Sequence, residues 1–413
     1  MTSISETDIT YYLKEKYVQN YVNMLMWKDF TLLGMIKKNP DAEGKYTAVP
    51  ATYAGGHGIA TTVAQAQTNN SPTKGVEFLV PCAEMYAVLQ IKDKALKQSK
   101  SDKGSFVRGI DHEVKGILRN FGAATSVQLW GDGGTPVGRR SSASTNVITL
   151  TNADDVNNFF VGMPISASSA TGASTSDTLR TGSTTVASVQ REAGTVTLTS
   201  AAAITNFADN DYLFHTGLFA GATVNVIMKG LGAWNPASAP SSTLFHNVDR
   251  TVDDYLSGAR LPSGETSGTL LDRIRKLASY SQTRLGTNAD WFFVHPRQIE
   301  VAASQQEWRS YQAITARDSM GIFGYNGIEF RSAFMSGKLL GDLHCGPTQL
   351  QFINSDVVEL QSLGPIARPM DDAGYKMQWV YNEAAWEQRW ATYANPVVWE
   401  QNQLARATLE TVV

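Results

Sequence analysis

The chain has 413 residues, enough for two or three compact units that each bury a core. Lys and Arg total 35 and Asp and Glu total 38, so a net charge of −3 supplies no basic field that would gather nucleic acid non-specifically. Charged residues make up 18% of the sequence, although the mean hydropathy is only −0.21. Soluble domains usually carry about 25% charged residues. Low charge without high hydropathy predicts that part of the surface contacts other protein.

Neither a membrane segment nor a secretory signal is expected. No stretch approaches the roughly 20 consecutive apolar residues that span a bilayer. Glu6 and Asp8 stand where the apolar part of a signal peptide would lie. Cys82 and Cys345 are far apart and define no disulfide framework, so we expect two buried thiols and folding in a reducing compartment.

Residues 1–48 are predicted to form an N-terminal arm. Apolar side chains recur every three or four residues from Ile9 to Met35, the spacing of an amphipathic helix, and Pro40 and Gly44 end the pattern. The apolar face has two interpretations: it packs on its own subunit, or it is exchanged with a neighbouring one. The second interpretation makes four aromatic residues candidate intersubunit contacts: Tyr12, Tyr17, Tyr21 and Trp27.

Residues 49–91 are predicted to form an extended loop and a returning strand. The part from 50 to 75 is rich in Gly and Asn and has few large apolar side chains, so we predict a long loop or splayed hairpin without its own core. From 76 to 90 the alternation of apolar residues predicts one strand. The candidate intersubunit contacts in this segment are Tyr53, His57 and Lys74.

A long helix is predicted within residues 92–140. The 3.6-residue period runs from Ser105, the expected N-cap, to Trp130, which corresponds to about 39 Å of helix. Five lysines between 92 and 103 form either a solvated face or a contact with an acidic neighbour. Interior glycines cost on the order of 1 kcal/mol each relative to Ala, so this helix must be held by packing and is able to bend. The glycines concerned are Gly109, Gly116 and Gly122.

Residues 141–217 differ from the rest of the chain in composition. They contain 11 Ser, 14 Thr, two Arg and no Lys, in short alternating runs separated by Gly, Asn and Asp. This pattern predicts a small β sandwich or barrel. It stands between the long helix and the second half, as an inserted domain would.

The remaining residues, 218–413, are predicted to be mixed α/β. Apolar spacing indicates a helix around Leu270–Leu277, a buried strand at Trp291–Val294 and a helix that begins at Pro296. Four of the nine Trp residues lie in the last 35 residues, so the C-terminal segment is predicted to be core or interface. We divide this region into 218–375 and 376–413.

No motif indicates catalysis. The Gly-Lys pairs lack the spacing of a phosphate-binding loop, the dinucleotide fingerprint lacks its third glycine, and no G-x-S-x-G elbow occurs. The six histidines show no i, i+4 pair, and His344 with Cys345 offers two metal ligands where a structural zinc needs four. We therefore expect no enzyme activity, cofactor or metal site. Adjacent acidic pairs are predicted to cap turns: Asp154–Asp155, Asp253–Asp254 and Asp371–Asp372.

The order of these elements resembles the major capsid proteins of tailed bacteriophages, which share the HK97-like fold. Besides the arm, loop and long helix, three stretches carry the resemblance: a strand that runs into a Pro-started helix at 291–299, a turn and strand at 324–330, and residues 393–399. The segment 141–217 is similar to β-rich insertions in some such proteins. The resemblance is diffuse and covers most of the chain.

The resemblance implies an α+β fold with named parts. An N-terminal arm (1–48) is followed by the extended loop (49–91). Residues 92–140 supply the spine helix and part of the peripheral domain, and 141–217 are the insert. Residues 218–375 form mainly the axial domain, and 376–413 complete the peripheral domain.

The resemblance also implies a function. Many copies would self-assemble as pentameric and hexameric capsomers into the icosahedral shell of a virion, assembled in the host cytoplasm around double-stranded DNA contacted non-specifically. A portal at one vertex is implied, a decoration protein is a further partner, and no membrane is involved. The absence of a long acidic segment before the arm implies a separate scaffolding protein. Lys74 lies in the loop, but no partner for a covalent cross-link can be deduced.

Two other functions stay open at this point. One is a different structural or adhesive phage protein whose segment 141–217 binds sugar, which a glycan screen on that segment would detect. The other is a hydrolase with a scattered site, which substrate screening would detect. Electron microscopy of the assembled product distinguishes the capsid protein from both.

Overall fold

The computed structural model describes residues 30–54, 57–94, 103–174, 176–200, 206–219, 227–265, 268–304, 328–331, 335–364, 366, 368–370 and 378–410. Within these ranges the chain forms two six-stranded sheets, a closed barrel and a separate two-stranded hairpin. No helix in the described ranges is long and apolar enough to cross a membrane.

The first described segment contains two short elements followed by a hairpin. Helix α1 (Thr31–Met35) and the short strand β1 (Lys37–Asn39) come first. Strand β2 (Thr47–Ala54) then pairs antiparallel with β3 (Lys74–Val80), and helix α2 (Val63–Thr68) lies between them. The region therefore forms a hairpin, one of the two predicted forms, with an unpredicted helix at its tip.

The first sheet is organised around one long strand. Strand β4 (Ala83–Lys92) pairs over ten residues with β19 (Ala385–Val398), which also pairs with β16 (Val358–Ser362), β17 (Arg368–Pro369) and β18 (Gln378–Trp379). Strand β1 adds to β16 in parallel. The single strand predicted at 76–90 is instead two strands, because Pro81 has no N–H to donate and the chain turns there from β3 into β4.

Helix α3 (Lys103–Trp130) covers one face of this sheet and is about 42 Å long. Met85 of β4, Trp390 of β19 and Phe121 of α3 form a buried cluster between them. The predicted helix is confirmed, but it begins two residues before Ser105, so Ser105 is an interior residue and not the N-cap.

A closed six-stranded barrel follows the long helix. Its strands are β5 (Gly138–Ser144), β6 (Val147–Leu150), β7 (Pro164–Ser168), β8 (Thr184–Gln190), β9 (Thr195–Leu198) and β10 (Tyr212–His215), hydrogen-bonded in the order β10, β5, β6, β9, β8, β7. A 3-10 helix, Ala153–Asn158, lies between β6 and β7. Closure leaves no unpaired sheet edge, which suits a module this small.

The second sheet occupies the other end of the subunit. In spatial order its strands are β11 (Ala259–Arg260), β20 (Ala405–Thr408), β15 (Gln349–Ile353), β12 (Trp291–Val294), β14 (Ser336–Gly341) and β13 (Ile328–Arg331). The other helices here are α4 (Leu231–Trp234), α5 (Leu270–Leu285) and α6 (Pro296–Ser304). Short 3-10 helices occur at Asp254–Leu256, Ser263–Glu265 and Gln401–Gln403.

The local signals for α5 agree with its observed ends. Thr269 accepts a hydrogen bond from the backbone N–H of Asp272, and Gly286 ends the helix in the left-handed region at φ 68°. The apolar side of α5, including Ile274 and Leu277, packs against the second sheet.

Strand pairing crosses the predicted division at 375/376. Strand β16, from the first part, joins the sheet that carries β4 and β19, whereas β20, from the second part, joins the sheet that carries β12. The second part begins with the two-residue strand β18 (Gln378–Trp379), and residues 371–377 lie outside the described residues. Sequence order alone therefore does not separate the two sheets.

Replacing Phe292 by Ala should strongly destabilise the second sheet. Its fully buried ring stacks on Phe352 at 4.1 Å between centroids and meets Phe330 edge-on at 6.1 Å. We expect a loss of about 3–5 kcal/mol in the free energy of unfolding. Urea denaturation measures it, with Phe160→Ala in the barrel as the control, because that ring is 37% exposed. Equal losses in the two variants would contradict this account of the core.

Candidate assembly surfaces

The structure places the predicted contact residues unequally. Tyr12, Tyr17, Tyr21 and Trp27 lie outside the described residues. Tyr53 is half-buried on β2 and packs against the main core, so much of its ring is already covered within the subunit. His57 and Lys74 are exposed on the hairpin.

The base of the hairpin is fixed by an aromatic cluster. Phe78 of β3 and Trp234 of α4 are both fully buried, with their ring centroids 5.4 Å apart. Phe245 meets both rings edge-on, at 6.3 Å from Phe78 and 5.1 Å from Trp234. The N–H of Leu79 donates a hydrogen bond of 3.0 Å to the carbonyl of His246. The hairpin therefore leaves the subunit from a packed base.

A buried arginine packs against this cluster. The guanidinium of Arg250 lies 4.0 Å from the ring centroid of Phe245 and donates to the carbonyls of Ala233 and Trp234. Burial, and then the charge of Arg260, lower the pKa of Arg250 to about 10. No sequence motif marked this arrangement, because its members come from three separate segments.

The same surroundings keep His246 neutral. Burial, and then the charges of Lys229 and Arg250, lower its pKa to about 3. His246 and Asn247 have positive φ values of 46° and 72°, as the two central residues of a tight turn closed between Phe245 and Val248. The histidine that shapes the hairpin base is thus His246, whereas the sequence had singled out the exposed His57.

The tip of the hairpin is folded but has no core of its own. Helix α2 has no buried residue, although Thr62 caps it by accepting a hydrogen bond from the N–H of Gln65. A Cβ on Gly58 would lie 1.9 Å from the carbonyl oxygen of Ala66, so only glycine fits there. Ile59 and Val63 are 92% and 76% exposed. This tip presents apolar side chains with no partner in the described part of the subunit.

A second exposed surface lies on the first sheet, on the face opposite α3. Tyr86 and Val88 of β4 are exposed there, and Tyr86 meets Tyr393 of β19 edge-on at 5.9 Å. Hydrogen bonds with Tyr393 and then with Glu84, whose carboxylate accepts from the Tyr86 hydroxyl at 2.7 Å, raise the pKa of Tyr86. This face combines aromatic rings with one carboxylate, a composition suited to contact with protein.

Comparison with known structures gives the fold. The capsid asymmetric unit of cyanophage A-1(L) aligns with a TM-score of 0.53 and 10% identity, over 98% of this chain and 99% of the other. This chain has a phage capsid fold. The capsid of a native GTA particle aligns at a TM-score of 0.49 with 9% identity, over 97% of this chain and 96% of the other. No family model and no curated protein matches the sequence.

The predicted mixed α+β capsid fold is thereby confirmed in outline. Helix α3 lies in the segment predicted to supply the spine helix, and the β2–β3 hairpin lies within the segment predicted as the extended loop. Among the described residues, no group of His, Cys, Asp and Glu side chains could hold a metal ion. His344 and Cys345, the adjacent soft ligands in the sequence, therefore have no partners for such a site there.

The three spine-helix glycines lie inside α3, and Gly116 is unconstrained. A Cβ built on Gly116 meets no atom within 4 Å, so the glycine is not required for close packing in the subunit. Gly109 and Gly122 lie about two turns to either side of Gly116 along the same helix. Bending of the helix at these glycines stays a prediction.

Gly116→Ala should stabilise the subunit by up to about 1 kcal/mol, because Ala restricts the unfolded chain and its methyl group fits open space. Thermal unfolding measures the shift. Gly230→Ala is the matched control: its Cβ would lie 2.2 Å from the carbonyl oxygen of Gln128, so it should destabilise. A destabilised Gly116→Ala subunit would show that α3 has a close neighbour at this position.

Proposed function

We propose that this chain is the shell-forming major capsid protein of a tailed bacteriophage. The observation that carries the proposal is agreement of fold over nearly the full length of both this chain and a cyanophage capsid subunit. Copies of the chain would associate as pentamers and hexamers and close into an icosahedral virion shell around double-stranded DNA. The role is structural, and no catalytic step is part of it.

The exposed surfaces support assembly. A hairpin with a packed base and an apolar, coreless tip has no use within one subunit, but it can bury Ile59 and Val63 against a neighbour. The open sheet face around Tyr86 and Val88 offers an apolar surface of the same kind. Head-to-tail contacts between unlike surfaces generate closed rings when the rotation between copies closes.

The structure also refines the proposed division into domains. We assign the sheet of β4, β16 and β19, with α3, to the peripheral domain, and the sheet of β12, β15 and β20, with α5, to the axial domain. The barrel is the insert. On this assignment the C-terminal segment contributes to both domains.

Partners follow from the proposed role and stay proposals. They are a separate scaffolding protein during assembly in the host cytoplasm, a portal at one vertex, a decoration protein on the shell, and packaged DNA. A net charge of −3 gives the subunit as a whole no attraction for DNA, so we propose that contact with the packaged DNA is non-specific and confined to the inner surface.

Electron microscopy tests the proposal directly. The chain is expressed alone and together with the neighbouring structural genes of its source genome, and the products are separated by sedimentation. We expect closed shells with five-fold and six-fold capsomers. A chain that stays monomeric in both expressions, or that forms only open fibres, would overturn the proposal.

Ile59→Asp combined with Val63→Asp should prevent assembly and leave the subunit folded. Both side chains are exposed in the subunit, so the loss falls on contacts between copies and not on the core. Sedimentation measures assembly, and thermal unfolding measures the subunit. The matched control is Val161→Asp on the barrel, also an exposed aliphatic residue. Normal shells from the double variant would show that the hairpin tip is not an assembly contact.

A further inference from the structure

One histidine joins four elements that are distant in sequence. His344 lies in the loop between β14 and β15 and is half-buried. Its Nδ1 is 3.0 Å from the hydroxyl of Ser126 on α3, and its Nε2 is 3.0 Å from Oδ1 of Asn158, at the end of the barrel's 3-10 helix. Its ring stacks on Phe30 at 5.3 Å between centroids. We call this contact region the His344 junction.

The same loop also holds the start of α1, which lies within the segment predicted as the N-terminal arm. Asp342, which is 1% exposed, accepts hydrogen bonds from the backbone N–H of Leu32 and of His344, both at 2.9 Å. The hydroxyl of Thr31 donates to the carbonyl of Gly341 at 2.8 Å. The start of α1 is thus fixed to the loop that carries His344.

A second set of contacts ties the barrel to the same place. Asp154, on the barrel's 3-10 helix, lies 2.6 Å from Nε of Arg297 on α6 and 3.8 Å from Nε2 of His295. His295 is 2% exposed, and its Nε2 has no hydrogen-bond partner among the described residues. These contacts lie beside the bond between Asn158 and His344.

The hydrogen bonds of His344 fit a neutral ring. The oxygen of Asn158 can only accept, so Nε2 carries the proton and donates to it. Nδ1 then accepts from the hydroxyl of Ser126. Protonation of Nδ1 would reverse that bond and would bury a positive charge close to His295 and Arg297. Asp342 and Asp154 are the only carboxylates that the described contacts place against these three basic side chains.

From this geometry we infer that the His344 junction is an acid-sensitive lock. With His344 neutral, the junction holds both the barrel and the start of α1 against the body of the subunit. Protonation of His344 releases the two together. The inference concerns the subunit itself, so it stands or falls independently of capsid assembly.

The direction of the pH effect follows from burial. Desolvation lowers the pKa of His344 below its ordinary value of 6.5, and the neighbouring His295 lowers it further although Asp342 opposes the shift. Desolvation also lowers the pKa of His295. The closed junction therefore binds protons more weakly than an opened one. Its stability is complete above pH 6.5 and is lost progressively as the pH falls below that value.

The neighbouring carboxyl group of Asp155 has the opposite effect on stability in acid. Burial raises the pKa of Asp155 to about 6, so its protonation on acidification favours the folded barrel. Asp155 packs toward Gly138 of β5, and it receives a hydrogen bond from Asn152. It therefore protects the barrel fold in acid while the junction outside it opens.

Hydrogen exchange of the full-length chain at pH 7.5 and pH 5.5, corrected for the intrinsic rate, tests the lock. The peptides to follow cover residues 30–36, 152–158 and 342–346. An opened histidine with a pKa near 6.5 takes up its proton fully one unit lower, so opening should become about tenfold easier at pH 5.5. All three peptides should respond together.

Three variants separate the lock from general acid sensitivity. His344→Gln retains a donor to Asn158 but cannot titrate, so the acid response of the three peptides should disappear. Asn158→Asp places a carboxylate opposite Nε2, which stabilises the protonated ring in the closed junction, so the acid response should weaken or reverse. The control, His246→Gln, removes a buried neutral histidine at the hairpin base and should leave the response of the three peptides unchanged.

Hydrogen exchange in these variants either supports or overturns the lock. Loss of the response in His344→Gln with its retention in His246→Gln supports the lock. A wild-type response in His344→Gln overturns it. So does acid opening of 152–158 without 30–36, because one lock would then not hold both segments. If His344→Gln does not fold, Asn158→Asp decides alone: a weakened or reversed acid response supports the lock, and an unchanged response overturns it.

Discussion

The pairing of β4 with β19 is the constraint on which the rest of the subunit depends. Ten residues from the first quarter of the chain pair in register with ten from its last tenth, between Ala83–Lys92 and Ala394–Ala385. Every other strand of the first sheet except β1 pairs with β19, and α3 packs on the face that β4 and β19 form together. Closing a loop of about 300 residues is entropically costly. The first sheet therefore forms only when strands from near the two ends of the chain have paired.

This constraint explains how a barrel can be inserted without disturbing the fold. The first and last barrel strands, β5 and β10, are adjacent and pair directly, so the chain enters and leaves the module at one place. The module closes on itself around its own core, and Arg180 forms a two-pronged hydrogen-bonded pair with the buried carboxylate of Asp211 inside it. The surrounding structure must then supply only a point of attachment. The junction around His344 and Arg297 supplies it from outside the barrel.

Sequence reasoning identified the elements whose signal is local. The 3.6-residue period of α3, the buried run at Trp291, the Pro-started α6 and the short β runs of the barrel all reflect contacts within a few residues. It also assigned the acidic pairs to turns, and Asp253 does cap a 3-10 helix by accepting from the N–H of Tyr255. Asp154 departs from that assignment, because its carboxylate also pairs with Arg297 from a segment over 140 residues away.

What the sequence could not show is pairing between distant segments. The sheet membership of β16 and β20 depends on pairing across roughly 30 to 60 positions, and the aromatic base of the hairpin and the His344 junction join residues more than a hundred positions apart. No periodicity encodes such separations. The same limit applied to His344, whose neighbour Cys345 drew attention to metal ligation although the histidine ring serves as a hydrogen-bonded connector.

The distribution of apolar surface connects the fold to assembly. Inside the subunit, apolar side chains collect into three cores. One includes the first sheet and the base of the hairpin, one lies between the second sheet and α5, and one fills the barrel. The hairpin joins the first core only at its base, and its tip keeps Ile59 and Val63 in water. Gly58 and the cap at Thr62 fix the conformation of that tip. No contact within the described subunit offsets the free-energy cost of keeping its apolar side chains in water. A rigid apolar tip loses little conformational entropy when it binds, so its shape favours docking on another copy over folding back on its own.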